Sequence, residues 1–496
     1  MPTEPPTVST GIAGLDHVLA GGLPRNRLYV VEGESGTGKT TLGFQFLLSG
    51  SRAGEKGLFL ALSETEEELQ AVAASHGWSL DGIALREVPS TGDLSPEENN
   101  TLFHPAEVEL GETTKTLFQE VERVGPARVV IDSLSEFRLL SQSGLRYRRQ
   151  ILALKQFFSG RRCTVMLLND TAREASDAHL HSIVHGILLL EQLAPLYGAE
   201  RRRIRVVKLR GVKFRGGFHD LKIETGGVVV YPRLVATGHH RAFSRDQISS
   251  GIPELDRLTG GGLERGTTTL ILGPAGTGKS SIASQYAAAS AQRGERVAIF
   301  TFDEGAGTLL ARSEGLGIPL VRQLEAGLIQ VKHLDPAEMS AGEFVHFVRE
   351  AVEEQNVRIV VIDSLNGYVH AMPEEHALSN QLQELFTYLR QRGVVVILTM
   401  AQHGLLGPLE SPLDVSYLAD SVLLLRHFEA QGSIRKAISV LKKRGLHETA
   451  LRELTMDGQG LHVGEPLEQF RGILTGVPLY EGTGKGLRRE KDESTP

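Results

Sequence analysis

Short apolar runs recur along the chain, bounded by polar or glycine residues and separated by stretches in which apolar residues return at helical spacing. Leu28-Tyr-Val-Val31 is followed by the periodic stretch Leu42-Gly-Phe-Gln-Phe-Leu47, and Thr269-Leu-Ile-Leu272 by Ile282-Ala-Ser-Gln-Tyr286. Gly57–Leu62, Arg128–Ser133, Cys163–Leu168, Val297–Phe302 and Arg358–Ser364 have the same strand character. Unbroken apolar strands alternating with helices predict an α/β fold, a mainly parallel sheet covered on both faces. Ligands of such sheets bind at the carboxyl ends of the strands, so the residues that follow each run carry the candidate chemistry.

The pattern occurs twice. Thr10-Gly-Ile-Ala-Gly-Leu-Asp16 with Gly21-Gly-Leu23 returns as Ser250-Gly-Ile-Pro-Glu-Leu-Asp256 with Gly261-Gly-Leu263, and the lysines Lys39 and Lys279 keep the same offset (279 − 39 = 240). A period that long can enclose its own core, so it marks a duplicated domain and not a solenoid repeat. The expected organisation is a disordered leader over 1–9, a first domain over 10–240, a second over 241–478 and a flexible charged tail over 479–496. The boundary is expected within Gly238–Arg245.

Composition narrows the class. The 496 residues are 41% hydrophobic and 23% charged, with a formal net charge of −7, a globular composition without the bulk positive field that favours nucleic acid. No apolar run is long enough to span a bilayer, and Met-Pro-Thr-Glu-Pro-Pro at the start has neither the basic nor the apolar region of a signal peptide. Cys163, the one cysteine, reads as a buried strand residue and excludes an intrachain disulfide, which fits a cytoplasmic location.

Each copy places the pattern G-x-x-x-x-G-K-[ST] between a strand and a helix. The residues are Gly33, Glu34, Ser35, Gly36, Thr37, Gly38, Lys39 and Thr40, followed by Thr41, and Gly273, Pro274, Ala275, Gly276, Thr277, Gly278, Lys279 and Ser280, followed by Ser281. Glycines let successive backbone N–H groups turn toward one polyphosphate at a helix N-terminus. The lysine then reaches the β/γ-phosphates, and the Thr40 or Ser280 hydroxyl holds Mg2+, so ATP and Mg2+ are the expected cofactors. Asp132 and Asp363, each closing an apolar strand, would act on that metal directly or through water.

Acids follow the next strand of each copy. Glu64, in Ser63-Glu64-Thr65, and the adjacent Asp303 and Glu304 are candidate bases for an attacking water or hydroxyl, whereas Glu66, Glu67 and Glu68 read as helix N-terminal charge. Lys208 with Arg210, and Lys442 with Arg444, repeat K-x-R-G at the end of an apolar strand. Two apart on a strand, each pair faces one way and could meet phosphates held by a neighbouring subunit. Arg201–Arg203 reads as a solvated edge, and Gly482–Gly486 lacks the full phosphate-loop spacing.

Together these elements, from about Thr10 to Pro478, resemble the KaiC family of double-domain ATPases and autokinases within the RecA superfamily. The likeness is carried by the G-x-x-x-L-D and G-G-L openings, both phosphate loops, Gly77-Trp78 and both K-x-R-G strands. It implies two tandem RecA-like P-loop NTPase domains in a homo-hexameric double ring, with ATP between subunits and the K-x-R-G residues acting across the interface. It further implies ATP hydrolysis, serine autophosphorylation in the second repeat, and regulatory partners of KaiB or other signalling type. Ser416 matches one phosphate acceptor of the family, Tyr417 stands in place of the neighbouring threonine, and Ser411 matches an auxiliary threonine, which implies a single-site switch. Ser63 stands where the family carries the first of two acids, so the two sites are expected to differ in hydrolytic rate. A DNA-dependent ATPase of the RecA or RadA type is the alternative, opposed by the net charge and the single tryptophan. A non-catalytic platform glued by ATP is a third reading.

Overall fold

The computed structural model describes residues 6–88, 105–170, 178–195, 197–237, 241–370, 378–402, 417–474 and 478–481. They form two compact units, Met1–Arg233 and Leu234–Pro496. The first unit opens with the short pair β1 (Thr7–Val8) and β2 (Leu23–Pro24) around α1 (Ala13–Val18). Next come β3 (Leu28–Gly33), α2 (Lys39–Arg52), β4 (Gly57–Ala61), α3 (Glu66–Ser75), β5 (Ile83–Glu87) and α4 (Pro105–Val124). These are followed by β6 (Arg128–Asp132), α5 (Leu134–Ser141), α6 (Gly144–Ser159), β7 (Thr164–Asp170) and α7 (Ala178–Ile183). A meander of β8 (Gly186–Leu193), β9 (Arg201–Leu209), β10 (Phe218–Glu224) and β11 (Gly227–Tyr231) closes the unit.

The second unit repeats the plan with β12 (Gln247–Ile248), α8 (Pro253–Leu258), β13 (Leu263–Glu264), β14 (Thr268–Gly273), α9 (Lys279–Gln292) and β15 (Val297–Thr301). It continues through α10 (Ala306–Gly315), α11 (Leu320–Glu325), β16 (Ile329–His333), α12 (Ala341–Glu353), β17 (Ile359–Asp363), α13 (Leu365–His370), α14 (Leu378–Gln391) and β18 (Val395–Ala401). Its meander is β19 (Ser421–Ala430), β20 (Ser433–Lys443), β21 (Arg452–Asp457) and β22 (Gly460–Pro466), after which β23 (Phe470–Arg471) pairs with β24 (Leu479–Tyr480).

Both units build a nine-stranded sheet in the same order, β5-β4-β6-β7-β3-β8-β9-β10-β11 and β16-β15-β17-β18-β14-β19-β20-β21-β22. Six strands of each are parallel and the last three antiparallel. The central strands are buried along their whole length because helices cover both faces, which is why they read as apolar runs without alternation. Side chains still alternate between two cores. Val31, Phe59 and Val130 face the core containing Leu42 and Phe46 of α2, while Val30, Leu58 and Val129 face the one containing Leu117 and Leu154.

Three expected boundaries shift. Thr7–Val8, inside the expected leader, pairs with Leu23–Pro24 and buries Val8. Leu234 and Ala236 already belong to the second unit's core, and the Ala236 N–H donates to Glu384 at 2.8 Å, so the division falls upstream of Gly238–Arg245. Leu479 and Tyr480, placed in the expected tail, pair with Phe470–Arg471, and the Tyr480 ring lies 5.2 Å from that of Phe470. Residues 482–496 lie outside the described residues.

Arg128, at the head of β6, is buried and ties the first unit together. Its guanidinium donates to Glu55 at 2.6 Å and to the Ser9 and Phe46 carbonyls at 2.7 Å, and sits 4.8 Å above the Phe46 ring. Removing it leaves the buried Phe46 carbonyl and the part-buried Ser9 carbonyl and Glu55 carboxylate without this donor, so Arg128→Ala is expected to destabilise the first unit by about 3 kcal/mol. Denaturant unfolding of the full chain should show an earlier transition for that unit, with the second unit's transition unmoved.

Candidate active site

Each phosphate loop leaves the carboxyl end of a central strand, β3 or β14, and runs into a helix that starts at its lysine. The cap positions Gly38 and Gly278 are left-handed, with φ of 98° and 103°, a conformation that L side chains resist. Space demands glycine as well: a Cβ on Gly33 would lie 2.6 Å from Thr37 Oγ1, and one on Gly38 2.9 Å from Ile223. Thr37 and Thr277 pin the turns by donating to the Glu34 and Pro274 carbonyls, both at 2.8 Å. Glu34, Ser35 and Gly36, and likewise Ala275 and Gly276, are exposed at the tips, whereas Thr41 and Ser281 are buried in the first helical turn. Among the described residues no side chain caps α2 or α9, so their first N–H groups are left for a ligand.

The lysines fold back over the loops. Lys39 Nζ donates to the Gly33 and Glu34 carbonyls at 2.9 Å and lies 2.8 Å from Asp170 Oδ1, while Lys279 Nζ donates to the Pro274 carbonyl at 2.8 Å. Burial pulls the Lys279 ammonium below its usual pKa. Beside each lysine a hydroxyl meets the strand-ending acid: Thr40 Oγ1 to Asp132 at 2.8 Å, and Ser280 Oγ to Asp363 at 3.0 Å, with Thr399 also donating to Asp363. Burial holds the Asp132 carboxyl above the ordinary range, so a cation beside it would favour the ionised form. A hydroxyl and a carboxylate are hard oxygen donors suited to Mg2+. Among the described residues no group of three or more His, Cys, Asp or Glu could hold a metal, so water and phosphate would complete its coordination.

The acids following β4 and β15 sit differently. Glu64 Oε2 is buried without a hydrogen-bond partner among the described residues, and desolvation followed by the charges of Asp132, Glu68 and Asp170 raises its pKa, opposed by Lys39. Desolvation also raises that of Glu304, but here Arg312 opposes the rise from 2.9 Å. Asp303 accepts a hydrogen bond from Ser364. The duplication offset pairs Glu68 with Thr308 and Val72 with Arg312, and strand register pairs Asp170, opposite Gly33, with Ala401, opposite Gly273. One backbone plan therefore carries two electrostatic environments.

A family model described as "ATPase: KaiC" matches residues 8–235 and again 248–468. The chain belongs to the KaiC family. It is 27% identical to the circadian clock protein KaiC3 of Synechocystis sp. over 482 residues, 95% of this chain and 94% of that protein. To the circadian clock oscillator protein KaiC of Parasynechococcus marenigrum it is 26% identical over 478 residues, 95% of this chain and 92% of that one. It is thus a KaiC-like ATP-binding protein of an ATPase family. Among the described residues no helix is long and apolar enough to cross a membrane.

The K-x-R-G residues of this KaiC-family chain lie away from their own phosphate loops. Lys208 is level with Ile187 and so with Val30, and Lys442 with Val422 and Leu270, near the amino ends of β3 and β14. Three strand residues separate them from Gly33 or Gly273, on the order of 10 Å. Lys208 donates to the His181 carbonyl, Arg210 to that of Ser182 at 2.9 Å, and Lys442 to that of Ala419 at 2.8 Å. Arg444 lies 3.3 Å from Asp420 yet is 70% exposed.

Arg202 corrects the solvated-edge reading of Arg201–Arg203. Strand β9 lies inside the sheet between β8 and β10, and Arg202 Nε donates to the Gly36 carbonyl of the phosphate loop at 3.1 Å. The buried Glu32, 2.8 Å from His181 Nε2, also went unread, since an acid within an apolar strand carries no periodic signal. Ser416 and Ser411 lie outside the described residues.

The Glu64 environment has a measurable consequence. Its pKa is raised on folding, so ionised Glu64 opposes folding at neutral pH; the penalty fades as pH falls through the raised folded value and is gone below the ordinary value of 4.5. Glu64→Gln is expected to raise the thermal midpoint of nucleotide-free protein at pH 7, with the gain shrinking at acid pH.

Proposed function

We propose that this chain hydrolyses ATP at two non-equivalent sites in a homo-hexameric double ring, and that its second unit transfers phosphate to Ser416 as a signalling switch. The observation that carries the reading is the twofold occurrence of loop, buried lysine, hydroxyl and strand-ending aspartate beside an acid at the next strand's end.

Backbone amides of residues 33–40 and 273–280, with Lys39 and Lys279, hold the triphosphate in one orientation. Mg2+ held by Thr40 with Asp132, and by Ser280 with Asp363, would supply charge neutralisation at the phosphates. Glu64 in the first unit, and Asp303 with Glu304 in the second, orient the attacking water or serine hydroxyl and take its proton. The placement of Lys208, Arg210, Lys442 and Arg444 at the far end of the sheet supports their serving the phosphates of an adjoining protomer, as arginine fingers do. The relatives bear circadian clock names. By that likeness the ring acts in cytoplasmic signalling and answers to regulatory partners of KaiB type.

Sizing with and without Mg-ATP should show a ring formed only with nucleotide, and Lys39→Ala with Lys279→Ala should abolish both retained nucleotide and assembly. Arg210→Ala and Arg444→Ala should each lower turnover at the site they complete by roughly 10³-fold without weakening nucleotide binding by the same protomer. Intact mass after incubation with Mg-ATP should rise by one phosphate, and Ser416→Ala should prevent it. A chain that assembles and turns over ATP but never gains mass would restrict the function to ATP hydrolysis.

A further inference from the structure

The helix starts beside Glu64 and beside Glu304 are built by different devices. In the first unit Thr65 caps α3 in a reciprocal capping box with Glu68, which fixes the helix start without using Glu64. In the second unit the cap is Gly305, which offers no side chain. Arg312 lies two turns into α10, and helical side chains lean toward the N-terminus, so its guanidinium reaches back to Glu304, Nη2 to Oε2 at 2.9 Å. The matching position of the first unit is Val72, which packs against the apolar core and offers no charge.

We propose that Arg312 is a positioning residue that restrains Glu304 and keeps ATP turnover at the second site below that at the first. This rests on the reading of Glu304 as an acid that handles the attacking water. The guanidinium charge 2.9 Å from Oε2 favours the ionised carboxylate by electrostatic attraction, which makes it a weaker base. Among the described residues the other charge acting on Glu304 is Asp363 from β17, which acts in the opposite sense, while the neighbouring Asp303 accepts from Ser364. Glu64 faces Asp132, Glu68 and Asp170, with Lys39 as the only opposing cation among the described residues. Releasing the second acid from Arg312 would therefore make it resemble the first.

The test uses the full chain with Mg-ATP in a Glu64→Gln background, so that turnover reports the second site. Arg312→Val, which installs the first unit's residue, should raise turnover roughly two- to fivefold, the range that an ion pair of this exposure supports. The acid limb of the pH–rate profile should move to higher pH, because the carboxylate loses its cation; Arg312→Lys should restore both values. Arg312→Gln, which keeps length and polarity without charge, should behave like the valine variant and guards against a packing defect. The reciprocal Val72→Arg, in an Asp303→Asn, Glu304→Gln background, should slow the first site and lower its acid limb. Unchanged turnover and an unmoved limb in both Arg312 variants, with Glu304→Gln still inactivating the site, would overturn the restraint alone. Full second-site turnover in Glu304→Gln would overturn the reading of Glu304, and the restraint with it.

Discussion

Both sites depend on amides that α2 and α9 leave unpaired in their first turns. A helix beginning in a glycine with positive φ, directly after a buried strand, aims those N–H groups at one point beyond the sheet's carboxyl edge. The buried strand makes the aim rigid, since β3 and β14 are each held by parallel neighbours on both sides. The lysine adds a full charge to the helix's partial one. Its bonds to loop carbonyls keep it over the loop, so little reorganisation is needed when phosphate oxygens arrive.

Duplication preserved this scaffold and changed the charges set into it. The order of nine strands is the same in both units, as are the hydroxyl and aspartate contacts. Around them, Asp170 has given way to Ala401, Glu68 to Thr308 and Val72 to Arg312. The first acid sits among like charges, while the second is tied to a cation. Side chains at the sheet's edge supply this difference without disturbing the core.

The meander on the far side of each sheet has a second role. Antiparallel pairing of β8 with β9, and of β19 with β20, carries the chain from beside its own phosphate loop back to the opposite end of the sheet. Arg202 touches the loop at one end of β9, and Lys208 and Arg210 stand at the other. One strand thus spans the distance between the phosphate loop and the opposite end of the sheet.

Linear order was enough for the duplication, the alternation of strands and helices, the phosphate loops and their strand-ending acids, because each is written in contiguous residues with a local physical signature. A glycine-lysine loop needs no distant partner to be recognised. The partners of Glu64 and Glu304, the reach of Arg202 to Gly36 and the pairing of Thr7–Val8 with Leu23–Pro24 became visible only in three dimensions. They join residues that are far apart in the chain or on neighbouring turns, and their energies depend on burial and distance. Those quantities exist only once the sheet has brought the strand ends together.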